Sequence, residues 1–303
     1  MTIGFQDRVV IVTGAGNGLG RCHALEFARR GAKVVVNDFG GARDGTGTSQ
    51  SPAEAVVAEI VDAGGEAIAN AANVTDFDQC TAMAAEAMER WGRIDVLVNN
   101  AGILRDKSFA KMDPALWRPV VDVHLNGSAN CSMAVWNIMR EQNYGRIVMT
   151  TSTSGVYGNF GQSNYGAAKM GLVGLMNTLC IEGMRNNIRI NCLAPTAATR
   201  MTEDVLAPEM LAALDPQFVT PAAVFLSGED APNRTVLFAG AGTYSAMQIR
   251  ESKGIYLDDS ERNAEAIAEN FDKILDFGEA DSFVHGGEHV QKILQNAMLN
   301  RKN

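Results

Sequence analysis

Val9-Val10-Ile11-Val12-Thr13-Gly14-Ala15-Gly16-Asn17-Gly18-Leu19-Gly20 is the stretch on which the fold turns. Four β-branched residues in a row read as a strand buried on both faces, and Arg21 to Arg30 reads as a helix. Between them lies a glycine-rich turn. Glycines reach backbone conformations closed to other residues and let an anion approach the amides at a helix N-terminus, where the helix dipole favours negative charge. A tight strand-to-helix turn that binds nothing has the same spacing, so the turn needs support from elsewhere in the chain.

Working outward, short apolar runs alternate with longer helical patterns. Strands are expected at Val9–Val12, Lys33–Val36, Ala67–Ala69, Ile94–Val98, Arg146–Met149, Arg189–Leu193 and Val236–Phe238. Ser51-Pro52, Asp113-Pro114 and Thr220-Pro221 each pair a capping side chain with proline at the first helical position, and Gly31 and Gly64-Gly65 supply stops. The pattern predicts an α/β fold: a doubly wound, Rossmann-like parallel sheet of about seven strands. No repeat or low-complexity linker divides the 303 residues. Residues 1–244 form the expected catalytic domain, and 245–303 a helical C-terminal extension of the same domain. In that extension Ala264, Ile267, Ala268, Phe271 and Leu275, and then Val290, Ile293, Leu294 and Ala297, fall at helical spacing.

A formal charge of −9 argues against nucleic acid and against anionic membranes as partners. With Asp7 and Arg8 before the first strand there is no secretory segment, so a cytoplasmic location is expected. The five cysteines are scattered and read as small buried apolar residues rather than a zinc or disulfide framework. His285-Gly286-Gly287-Glu288-His289 matches a metal pattern, but its two glycines oppose a helix there and no third ligand is visible, so no metal is expected.

Asp38 ends the second strand, eighteen residues beyond Gly20. A carboxylate there can accept hydrogen bonds from both adenosine ribose hydroxyls, whereas a 2′-phosphate would meet a like charge with no basic compensation from Asn17. NAD is favoured over NADP. Asn99-Asn100-Ala101-Gly102 places amides and a small residue at the carboxyl edge of the sheet, where doubly wound folds bind ligands. Farther along, Tyr165 and Lys169 stand at i, i+4 on one helical face, with Ser152 thirteen residues before the tyrosine. A phenol of pKa about 10 is a poor base unless a fixed cation holds its phenolate, and lysine is that cation.

These motifs, in this order and spacing over roughly the first 240 residues, resemble the short-chain dehydrogenase/reductase family. The resemblance implies that Tyr165 is the acid/base, that Lys169 lowers its pKa and binds the nicotinamide ribose, and that Ser152 holds the reacting oxygen. It further implies a cofactor site drawn from Gly14, Asn17, Gly18, Leu19, Gly20 and Asp38, from Asn73 and Val74, from Asn100, Ala101 and Gly102, and from Tyr165, Lys169, Pro195 and Thr199. Two positions depart from the family pattern. His124 stands where an asparagine is usual and is carried as a fourth catalytic residue, since it too can hold water; Thr196 follows Pro195 in place of glycine. Asn37 to Gly41, Gly102 to Asp106, Gly155 to Gln162 and Asn270 to Ile274 resemble, more closely, the (3R)-hydroxyacyl-CoA dehydrogenase part of peroxisomal multifunctional enzymes.

That branch implies an NAD-dependent oxidation of a (3R)-hydroxyacyl-CoA by a homodimer or homotetramer. A hydroxysteroid or other secondary-alcohol dehydrogenase shares the same motifs. A nucleotide-binding protein without chemistry shares the fold alone. The stretch from Thr196 to Asp215, rich in Met201, Leu206, Met210 and Leu211, reads either as a flap over an acyl chain or as ordinary helical packing.

Overall fold

Eight strands lie side by side in the order β3-β2-β1-β4-β5-β6-β7-β8. They are β1 (Val9–Thr13), β2 (Lys33–Asn37), β3 (Glu66–Asn70), β4 (Val96–Asn99), β5 (Gly145–Thr150), β6 (Ile188–Pro195), β7 (Val236–Gly240) and β8 (Thr243–Met247). The computed structural model describes residues 2–49, 51–197 and 213–300. Strands β1 to β7 pair in parallel, with Val10 opposite both Val34 of β2 and Val96 of β4. Every residue of β1, β4 and β5 is buried, as strands covered by helices on both faces must be.

All seven expected strands are present. The eighth was not anticipated. Ala241 and Gly242 alone join β7 to β8, both at positive φ (49° and 75°), and so short a link connects antiparallel neighbours.

Around the sheet run α1 (Gly18–Arg29), α2 (Ser51–Asp62), α3 (Phe77–Trp91), α4 (Pro114–Val121), α5 (Gly127–Gln142), α6 (Thr153–Tyr157), α7 (Ser163–Glu182) and α8 (Thr220–Ser227). Asp113 caps α4 as expected, accepting from the amides of Ala115 and Leu116 at 2.8 and 2.9 Å. Thr220 does not cap α8. It lies inside the first turn, buried, with its hydroxyl 2.9 Å from His23 Nδ1 on α1. Between α4 and α5 the helix widens into a single π-turn, Asp122–Asn126, just after Pro119 inside α4 removes an amide donor from the ladder.

Strand order reverses at the β1–β4 border, so the loops leaving these strands splay apart and open a crevice. Thr13 and Asn100 tie its two lips. The Thr13 hydroxyl accepts from the amides of Asn100 and Ala101 at 3.0 and 3.1 Å, and Asn100 Nδ2 donates to the carbonyls of Thr13 and Gly14 at 2.9 and 3.0 Å. Cys80, Cys131, Cys180 and Cys192 are buried thiols, while Cys22 is half-buried.

Residues Met1–Ala246 form one compact unit and Met247–Asn303 a second. The second contains α9 (Ala264–Glu269), α10 (Phe271–Ile274) and α11 (Gly286–Asn300), together with the short antiparallel pair β9 (Glu251–Ser252) and β10 (Ala280–Asp281). Lys292 of α11 staples that pair, reaching Glu251 at 2.8 Å and Asp281 at 3.1 Å. The first expected tail helix is thus broken at Asn270, and the two strands beside it lay outside the helical reading. Gly286 and Gly287 sit in the first turn of α11 rather than opposing it, because glycine costs a helix least at its end. Among the described residues no helix is long and apolar enough to cross a membrane.

Candidate active site

The crevice is a cavity of about 780 Å³. It is lined by Gly14, Asn17, Gly18, Leu19, Asp38, Asn73, Val74, Asn100, Ala101, Gly102, His124, Ser152, Tyr165, Lys169 and Pro195. Gly20 stands behind this wall: a Cβ there would come within 2.2 Å of the Gly14 carbonyl oxygen, so its role is to let α1 close on the turn. Thr199 and most of the expected flap lie outside the described residues.

At the glycine turn, α1 begins with Asn17 as its cap residue but without a side-chain acceptor for the first-turn amides. Such amides, at the positive end of the helix, suit a diphosphate. Asp38 closes the same corner. One carboxylate oxygen accepts the Gly16 amide and the other the Gly40 amide, each at 2.7 Å. A Cβ on Gly16 would lie 2.6 Å from Pro52 Cβ and 2.7 Å from Asp38 Oδ2, so only glycine lets the carboxylate reach the turn. A cradle of bare amides beside a single fixed carboxylate fits a dinucleotide.

Beyond Asp38 the chain makes a strap, residues 39–49, that crosses to the other lip. The Leu104 amide donates to the Arg43 carbonyl at 3.0 Å, and the Arg105 guanidinium donates to the carbonyls of Asp44 (2.8 Å) and Ala115 (3.0 Å). Arg105 is therefore a clasp between strap and α4. Nothing local in the sequence announces these two carbonyl partners.

Ser152, Tyr165 and Lys169, the expected catalytic group, meet where β5 and α7 approach. Asn164, fully buried, anchors the start of α7 by donating to the carbonyls of Arg105 and Leu116 at 3.0 and 3.1 Å, which fixes the next residue, Tyr165. Ser152 ends the turn after β5; its hydroxyl accepts the Ser154 amide at 3.2 Å and lies near enough to the Tyr165 phenol to pull its pKa down. Lys169 is buried, with its ammonium 5.5 Å from the centre of the Tyr165 ring and donating to the Thr150 carbonyl.

His124 completes the group from the π-turn. Its ring stands edge-on to Tyr165, centroids 5.0 Å apart, and packs so close beneath Gly102 that a Cβ there would fall 2.4 Å from His124 Cε1. Nε2 lies 2.8 Å from the Ile103 carbonyl and 3.2 Å from the Ile103 amide. The shorter contact makes Nε2 the protonated nitrogen and leaves Nδ1 a buried bare acceptor, with no partner among the described residues.

Burial dominates the electrostatics. It brings the Lys169 ammonium down to about 7, against a weak opposing pull from Cys192, and holds His124 well below its ordinary value, helped by the Lys169 charge. It also pushes the Tyr165 phenol up; the Ser152 hydroxyl pulls the other way and the Asp106 carboxylate adds to the rise. Lys169 was expected to lower the Tyr165 pKa; instead the phenol is raised, with burial the largest cause and Ser152 supplying the lowering.

His285 and His289, singled out for their spacing, lie beside carboxylates instead, 3.9 Å from Glu288 and 3.2 Å from Glu251. Among the described residues no group of three or more His, Cys, Asp or Glu side chains is placed to hold a metal ion.

A family model for the short chain dehydrogenases matches residues 8–209, which contain the glycine turn, Asp38, Asn99 to Gly102, His124, Ser152, Tyr165 and Lys169. The chain belongs to the short-chain dehydrogenase family. It is thereby an oxidoreductase by family, and the kinship read from its motifs is shown. Over all 303 residues it is 46% identical to peroxisomal multifunctional enzyme A of Dictyostelium discoideum, of which it covers 67%. The full-length peroxisomal multifunctional enzyme type 2 of Drosophila melanogaster aligns with 97% of this chain at a TM-score of 0.81 and 39% identity, and this chain covers 50% of it. A 7α-hydroxysteroid dehydrogenase solved with NADH and 7-oxo glycochenodeoxycholic acid aligns with 79% of this chain and 95% of its own at a TM-score of 0.71 and 29% identity. The chain therefore spans between about a third and two thirds of the length of the multifunctional relatives it matches.

Proposed function

We propose that this chain is an NAD-dependent dehydrogenase that oxidises a (3R)-hydroxyacyl-CoA to the 3-oxoacyl-CoA. The observation that carries the reading is one cavity holding both the Asp38 carboxylate against the glycine turn and the Tyr165, Ser152 and Lys169 group. The similarity to peroxisomal multifunctional enzymes along the whole chain supports the acyl substrate class. Asp38 supports NAD, because a 2′-phosphate in its place would face a like charge in a partly buried corner.

When bound, the nicotinamide ring supplies the hydride acceptor. Tyr165 takes the carbinol proton, and Ser152 donates to the oxygen as negative charge grows on it. Lys169, with its proton affinity brought to neutrality, can accept a proton and return it to solvent, so the buried phenol need not store charge. His124 holds the last part of that path: its bare Nδ1 accepts a hydrogen bond from water near Lys169.

Initial rates with NAD and NADP on chain-matched R and S thioesters test the reading. NAD with the R thioester should give the highest kcat/KM, and preference for the S form would overturn it. The likeness to a hydroxysteroid dehydrogenase sustains a second reading, which efficient turnover of free sterols with poor turnover of CoA esters would favour. We further propose a homodimer or homotetramer built through α4 and α5, where Met133 is 55% exposed, to be checked by sedimentation. A cytoplasmic location belongs to the same proposal; the multifunctional relatives are peroxisomal by name, and cell fractionation separates the two.

A further inference from the structure

We propose that Gln162 is a specificity-determining residue whose side-chain N–H receives the acyl carbonyl oxygen of the substrate, and that Asp106 is the positioning residue that aims it. The inference rests on the hydroxyacyl reading above and names the group that recognises the second oxygen of such a substrate.

Gln162 is the cap residue of α7, three positions before Tyr165, and it lines the same cavity as Ser152 and Tyr165. Its amide is almost fully committed. Oε1 accepts from Ser154 Oγ at 2.8 Å and from Asn159 Nδ2 at 3.1 Å, which uses both lone pairs. Nε2 donates to Asp106 Oδ2 at 2.7 Å. The carboxylate can only accept, so it decides which way round the amide lies: a flipped Gln162 would turn its carbonyl oxygen on a negative charge. One N–H remains, with no acceptor among the described residues.

The setting fixes Gln162 in the wall of the cavity that holds Ser152 and Tyr165. The Lys107 amide donates to the Gly161 carbonyl at 2.8 Å and Lys107 bridges to Gln162, which locks the Asp106 loop to the start of α7. Ser154, one acceptor link from Gln162, also donates its amide to Ser152. A polar row therefore runs Asp106, Gln162, Ser154, Ser152 and ends on the Tyr165 phenol.

A plain secondary alcohol offers one oxygen, which Ser152 and Tyr165 engage. A 3-hydroxyacyl thioester offers a second, the C1 carbonyl, one methylene away from the carbinol carbon. A half-buried donor loses its water when any substrate enters, and only a substrate with a matching acceptor restores the bond. Asp106 otherwise works against the chemistry, because its charge makes the phenolate harder to form. Holding Gln162 in one orientation gives that carboxylate a function at this place.

The test compares (R)-3-hydroxybutyryl-CoA with 2-pentanol, which has no carbonyl, under saturating NAD. The readout is the ratio of the two kcat/KM values in the wild type, Gln162→Leu and Asp106→Ala. Gln162→Leu keeps side-chain bulk without a donor and should lower the thioester-over-alcohol ratio by about 10- to 100-fold. Asp106→Ala, at an exposed position, should lower it by roughly 3- to 10-fold, and it decides the matter should the leucine variant fail to fold. A ratio within about twofold of wild type, with both substrates losing rate in equal proportion or neither losing any, overturns the role of Gln162. Wild-type enzyme that does not oxidise the R thioester at all would overturn the hydroxyacyl reading itself, a result distinct from any change between variants.

Discussion

Asp38→Asn is the substitution that most directly separates cofactor recognition from mere turn structure. The carboxylate serves two amides at 2.7 Å, Gly16 on the glycine turn and Gly40 at the root of the strap. Asparagine offers one oxygen and one NH₂, so one amide would face a donor. Hydrogen bonds to a charged acceptor are worth about 1.5–3 kcal/mol, against roughly 1 kcal/mol for neutral pairs. Losing one and weakening the other loosens the corner by about 2–4 kcal/mol, of which we assign half to NAD binding, a loss of about 10-fold or slightly more. The same change removes the charge that repels a 2′-phosphate. Two unit charges about 5 Å apart at an effective dielectric of about 20 repel by roughly 3 kcal/mol, and solvent at the mouth halves this, so NADP should gain about 10-fold. The NAD-over-NADP ratio of kcat/KM, measured on one alcohol substrate in both proteins, should therefore fall about 100-fold. A ratio that moves less than about threefold, with a lowered melting temperature, would refute the reasoning and leave Asp38 a purely structural residue.

Three further outcomes are expected. Tyr165→Phe should cut turnover by about 1,000-fold or more while NADH binding, followed by fluorescence titration, stays close to wild type, since the ring remains and only the phenolic hydroxyl is lost. Lys169→Met should abolish turnover yet raise the melting temperature, most fully below pH 7, because the unfolded lysine takes up its proton below about 10.5 while the buried one is brought down to about 7, so the cost builds between these values and is complete below 7; equal or lower stability would show that the Thr150 contact outweighs that cost. His23 is fully buried and brought down to about 4 from 6.5, so the unfolded chain takes up a proton that the folded one refuses: stability present above pH 6.5 should fall by about 3 kcal/mol as pH drops through 4, and His23→Gln should flatten that part of the urea-unfolding profile.

The sheet was legible because each inner strand carries its own signal. Val9–Val12 and Val34–Val36 are unbroken β-branched runs, and residues buried on both faces leave no room for polar alternation. Thr243–Met247 carries no such signal. Four of its five residues are exposed, so neither burial nor alternation shaped the composition of β8, and its hairpin turn is Ala241-Gly242 rather than a familiar Asn-Gly. Thr220 misled for a related reason. A hydroxyl before proline looks like a cap until a buried partner, His23, 197 positions away, competes for it.

What one element presents, the chain spells out locally; what two loops make together, it does not. Tyr165 and Lys169 could be paired from spacing because helical geometry alone puts i and i+4 on one face. Asp38 could be assigned because a strand end is a fixed address beside the glycine turn. The Arg105 clasp, the Asp106–Gln162 contact across 56 positions and the Thr13 tie to Asn100 exist only because the sheet order β2-β1-β4-β5 brings the segments that follow these strands together. His124 lies between these cases. Its replacement of the usual asparagine was visible, but its chemistry depends on which nitrogen carries the proton, and that is decided by the Ile103 carbonyl held opposite it at 2.8 Å. A π-turn presents the ring and the bare backbone of Gly102 admits it, so the bulkier side chain fits only where a neighbouring loop has no side chain of its own.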